Sequence, residues 1–107
     1  DSFGGNSSLV DFGVTDKIKI KTMKLDDFKI KNIKLLKIDA EGYEPEVLLG
    51  SIETLKETEF VAVDFGPERG VDQNDTIIEV NNFLLKHGFT LKNFEINRIT
   101  GLYKSVN

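Results

Sequence analysis

Two carboxylates, Asp39 and Glu41, lie within the run Lys37-Ile38-Asp39-Ala40-Glu41-Gly42-Tyr43-Glu44, directly behind an apolar stretch made by Leu35, Leu36 and Ile38. An acid at the carboxyl end of a buried strand lies where open α/β sheets bind ligands. Gly42 lets the chain turn tightly there, which would hold both carboxylates at the rim of a crevice. So placed, they can orient a hydroxyl, accept its proton or hold a cation. The competing reading is structural: solvated acids at a helix start that cap free amides. Asp64 closes a second apolar stretch in the same way, and Glu68 and Arg69 follow on the loop behind it. Because the ends of parallel strands line one edge of a sheet, Asp64, Glu68 and Arg69 are expected to meet Asp39. Otherwise they are plain loop charges.

The remaining chemistry-bearing residues point nowhere in particular. His87, the single imidazole, is a possible general base, but it precedes Gly88 and reads as a helix-end residue complementing the dipole. Eight lysines fall between Lys17 and Lys37 without the arginines and stacking aromatics of a nucleic-acid surface. They read as solvent-facing side chains protecting a strand. There is no cysteine, no paired histidine and no phosphate-cradling glycine loop. Asp72-Gln73-Asn74-Asp75 lacks the glycine and closing glutamate of a calcium loop. No metal is expected.

The elements that must position these residues follow from apolar periodicity. Residues 17–23 alternate as a half-buried strand, and Leu25-Asp26-Asp27-Phe28 reads as a short turn or helical piece. A buried strand at 35–39, apolar on both faces, suits a parallel sheet covered by helices on both sides. A helix is expected over 44–56, with Pro45 in its first turn and Val47, Leu48, Ile52 and Leu55 as its buried stripe. Gly50 inside it implies close packing of the helix backbone on the sheet. A strand at 60–65 follows, then a helix at 76–87 started by the capping-box pair Thr76 and Glu79, with Asp75 a competing cap. Strands at 89–96, with a phase change near Asn93, and at 99–104 close the chain. The fold class is α/β: a mostly parallel sheet closing in an antiparallel strand pair, with helices packed on it.

Size and charge bound the function. The 107 residues make a single domain, with residues 1–8 a loop, and 14 basic against 18 acidic residues give a net charge of −4. An acidic domain is not expected to bind nucleic acid or anionic membranes. No apolar run approaches the roughly 20 residues of a membrane span, and no signal or transit segment is visible. A cytoplasmic location is expected. The chain begins at Asp1 and its lone methionine is Met23, as in a processed or excised chain.

Together these residues carry a resemblance. Leu25-Asp26-Asp27-Phe28, followed by Leu36-Lys37-Ile38-Asp39-Ala40-Glu41-Gly42-Tyr43-Glu44-Pro45-Glu46-Val47-Leu48-Leu49-Gly50, closely resembles the FkbM family of S-adenosylmethionine-dependent methyltransferases. The strand ending in Asp64, the segment 78–89 and Leu102-Tyr103-Lys104 are similar to the C-terminal portion of that family. The likeness spans residues 8–104. It implies a Rossmann-like class I methyltransferase half-fold and an O-methyltransferase that uses S-adenosylmethionine. Its acceptor would be a small-molecule or sugar hydroxyl. By the same resemblance Asp39 is the base or positioning group, Glu41 supports it, and Asp64 and Glu68 face the substrate. Asp64 stands where the family often has glutamate. The family's glycine-bearing donor motif and acidic ribose-binding residue, which lie ahead of the Leu-Asp-Asp element, have no counterpart here. The chain is therefore expected to be the C-terminal half of such an enzyme, inactive alone and prone to form a homodimer through exposed edges. The alternative is a non-catalytic interaction or remnant domain of the same fold.

Overall fold

The computed structural model describes residues 24–107. The strand expected at 17–23, the loop at 1–8 and the first three lysines of the basic run lie outside the described residues. A 3-10 turn, Leu25–Phe28, leads into strand β1 (Ile33–Ile38), and helices α1 (Glu44–Leu49) and α2 (Ile52–Leu55) follow. Next come β2 (Thr58–Asp64), helix α3 (Ile77–Lys86), β3 (Phe89–Glu95) and β4 (Thr100–Ser105).

The four strands form one sheet in the order β1-β2-β4-β3. β1 and β2 pair in parallel, with Leu36 opposite Val61 and Ile38 opposite Val63. β4 runs antiparallel to both of its neighbours. The sheet is thus mixed, and the expected mostly parallel pairing needs correction: only β1–β2 pairs in parallel among the described residues. The cause is the position of the last hairpin. The chain leaves α3 at the sheet edge as β3 and returns inward as β4, so β4 separates β3 from β2. The phase change near Asn93 is a bulge, with the register shifting between Leu91 and Asn93.

One face of the sheet carries the core. Ile38, Val61, Val63 and Tyr103 lie buried with Leu48, Leu55, Val80 and Leu84 from the three helices. The opposite face presents Leu35, which is 54% exposed. Helices on both faces were expected from the apolar pattern of β1, but the helices described here bury only one.

The helix expected over 44–56 is broken in two at Gly50 and Ser51. A Cβ on Gly50 would lie 3.2 Å from the Lys24 side chain. Gly50 therefore makes room for the segment entering the 3-10 turn, not for the sheet. The same turn seals the break: the Asp26 amide donates to the Gly50 carbonyl (3.0 Å). The Asp26 carboxylate in turn accepts from the amides of Glu53 (3.0 Å) and Thr54 (2.7 Å) and from the Thr54 hydroxyl (2.7 Å). These are the free donors of the first turn of α2, so Asp26 caps that helix from a distance.

At α3 the capping box does not form. Asp75 Oδ1 accepts from the Ile77 amide (3.0 Å), while the Thr76 side chain makes no cap bond. The C-terminal end is as expected, with Gly88 at φ +89°.

Candidate active site at the ends of β1 and β2

β1 and β2 deliver their last residues to the same edge of the sheet because they pair in parallel, Ile38 beside Val63. Asp39 and Glu41 therefore leave one strand beside Asp64 and Glu68 leaving the other. The sharp turn after β1 is built on two left-handed residues, Glu41 at φ +50° and Gly42 at φ +100°.

A buried carboxylate organises this turn from beneath. Glu44 is 1% exposed. Its Oε2 accepts from the amides of Ala40 (3.2 Å) and Gly42 (3.0 Å), and its Oε1 accepts from the Thr76 hydroxyl (2.9 Å). Burying a carboxylate is costly unless its oxygens are satisfied. Three donors on two oxygens meet that need and tie the turn to the start of α3.

Across the top, Arg69 joins the two loops. Its Nη1 donates to the Gly42 carbonyl (2.6 Å) and to Glu46 Oε1 (2.8 Å), and its Nη2 donates to Glu46 Oε2 (2.6 Å). This guanidinium holds the Glu46 carboxyl below its ordinary value, against a smaller opposing effect of burial. Both side chains are about one-third exposed, so the pair is worth no more than ~1 kcal/mol. Its consequence is geometric.

Asp39 and Glu41 are exposed, and Asp64 is half-buried with Oδ1 accepting from the Gly66 amide (2.8 Å). Partial burial of its carboxyl pushes Glu68 above its ordinary value, and the charges of Asp64, Glu41, Asp39 and Glu44 push it in the same direction. All four residues singled out from sequence thus fall within one electrostatic neighbourhood. Among the described residues, no three His, Cys, Asp or Glu side chains are grouped so as to hold a metal ion. His87 is remote from this cluster in role: its ring stacks on Phe83 at 4.1 Å and Nδ1 lies 2.9 Å from the Phe83 carbonyl oxygen. That is the helix-end arrangement.

The sequence pattern left Arg69 open between a site residue and a loop charge and gave Glu44 and Glu46 no site role, so the scaffold they build together was missed. The one available signal was that the Asp39–Gly42 run closes on Glu44 immediately before Pro45. A glutamate there can reach back to the amides of the turn.

A family model described as the methyltransferase FkbM domain matches residues 4–91 of the 107-residue chain. No curated protein and no solved structure matches it.

Proposed function

The chain belongs to the FkbM methyltransferase family, and we propose that it is the C-terminal portion of a Rossmann-like O-methyltransferase. The donor in this reading is S-adenosylmethionine, and the acceptor is a hydroxyl of a small molecule or sugar. The observation that carries the reading is the shared field of Asp39, Glu41, Asp64 and Glu68 at the ends of two parallel strands.

These residues suit a cationic donor. None of the four carboxylates has an ion-pair partner among the described residues, so their charge is available to a sulfonium. The amides of Ala40 and Gly42 are committed to Glu44 and are not offered to a ligand. When bound, the donor supplies an electrophilic methyl group.

The chain's own residues handle the acceptor. Its hydroxyl must be aligned and must lose a proton as the new bond forms. Asp39, exposed at the strand end on a turn fixed by Glu44, accepts or orients that proton. Glu41 supports it from the same turn. Asp64 and Glu68 hold neighbouring polar groups of the acceptor.

The test is methyl transfer by the full-length protein carrying Asp39→Asn, which keeps volume and removes charge. Turnover should fall about 10²-fold with the fold intact by circular dichroism, while Lys92→Ala, on an exposed strand position, should change little. Near-normal turnover in folded Asp39→Asn would leave Asp39 a structural residue. Absence of transfer by the unsubstituted protein would favour the remnant-domain reading.

A further inference from the structure

One side chain, Arg69, reaches from the loop after β2 to the turn after β1. The loop after β1 carries Asp39 and Glu41, and the loop after β2 carries Asp64 and Glu68. Arg69 touches both. Its backbone is pinned by a two-residue bridge, in which the Arg69 amide donates to the Asn74 carbonyl and the Asn74 amide donates back, each at 2.9 Å. From that fixed base its guanidinium reaches the Gly42 carbonyl and both oxygens of Glu46.

The loops also meet at the backbone. A Cβ on Gly42 would lie 2.7 Å from Arg69 Cα and 2.8 Å from the Glu68 carbonyl oxygen. That approach brings the peptide bearing Glu68 directly against the turn bearing Glu41. A planar fork with five donors can bond a carbonyl and a carboxylate at once, which an ammonium cannot do with the same geometry.

We propose that Arg69 is a positioning residue that clasps the β2 loop to the β1 turn and so sets the separation between the Asp39–Glu41 and Asp64–Glu68 pairs. In the methyltransferase reading, on which only its purpose rests, that separation is the width available to the acceptor. The clasp itself is a property of this chain and can be measured without any reaction.

The readout on the chain is the titration of the Glu68 carboxyl, followed by carbon-detected NMR. Asp64, Glu41, Asp39 and Glu44 are the charges acting on it. Arg69→Met keeps the apolar stem and removes every donor. If Arg69 acted only as a nearby cation, its loss would push Glu68 further up. If it is the clasp, the loops part and Glu68 falls back toward the ordinary glutamate range. Glu46→Gln, which leaves the bond to Gly42 in place, should produce a smaller change in the same direction, and it carries the test should Arg69→Met fail to fold.

In the full-length protein, Arg69→Met should lower kcat about tenfold, with donor affinity unchanged, because misplacement penalises alignment more than donor contact. A Glu68 titration that is unmoved or rises in a folded variant overturns the clasp. A Glu68 titration that falls, in a protein that transfers no methyl group, keeps the clasp and removes the methyl-transfer reading instead.

Discussion

Glu44 and Thr76 are 32 residues apart in the chain, and a 2.9 Å hydrogen bond joins them in a site closed to solvent. The bond replaces the helix cap that Thr76 would otherwise provide for α3. It couples the turn that carries Asp39 to the helix that packs behind it. Glu44→Leu should leave the amides of Ala40 and Gly42 without partners and destabilise the protein by about 3 kcal/mol. Thr76→Val, which strips only one donor from a carboxylate that keeps two others, should cost about 1 kcal/mol. Urea unfolding measures both; equal losses would contradict the assignment of Glu44 as the centre of the network.

Gly42 sits at φ +100° with Arg69 and Glu68 backbone atoms where a side chain would begin. Gly42→Ala therefore combines left-handed strain of about 1 kcal/mol or more with a backbone clash that no rotamer relieves. We expect a lowered melting temperature and a Glu68 titration displaced toward the ordinary range, since the loops must move apart. A variant as stable as the parent would refute the close approach.

Acid sensitivity should trace in part to Asp26. Burial works to raise its carboxyl, but the Thr54 hydroxyl and the amides of Glu53 and Thr54 outweigh it, and the net shift is downward. A carboxyl lowered on folding contributes stability that is fully present above its unfolded value near ~4 and is lost as pH falls through the folded value. Asp26→Asn should cost about 1 kcal/mol at neutral pH through the weakened cap. It should also flatten the loss of stability below about pH 4. Urea midpoints measured from neutral to acidic pH check both; parallel curves for parent and variant would remove Asp26 from the acid response.

Tyr103 is 1% exposed, its hydroxyl donates to Asn81 Oδ1 at 2.7 Å, and burial pushes its ionisation up to about 12. A phenol raised on folding stabilises the protein below its ordinary value near ~10, and that contribution disappears as pH rises through the folded value. Tyr103→Phe should cost about 1 kcal/mol at neutral pH. It should also remove the late-ionising component from an ultraviolet absorbance titration. Persistence of that component in the variant would assign it elsewhere.

Local pattern in the sequence was enough to place the strand ends, and with them Asp39 and Asp64, because two apolar runs each stop abruptly at an acid. It also located helix α3, the bulge near Asn93 and the turn at Leu25–Phe28, all of which follow from periodicity or turn chemistry within a few residues. What it could not contain is partnership across the chain. Whether Thr76 caps its own helix or bonds Glu44 depends on where α1 lies against α3. Gly50 looked like a sheet contact until Lys24 occupied the space beside it, and Asp26 read only as part of a short turn until the break between α1 and α2 offered it three donors. The antiparallel placement of β4 between β2 and β3 is likewise a choice of sheet order, to which strand periodicity is blind. Arg69 could be placed near Asp39 from the strand ends, but its bridge to Gly42 and Glu46 exists only because the fold brings both within reach of its fork. A hydrogen bond has no signature in the separation of its partners, so these links came only with the tertiary structure.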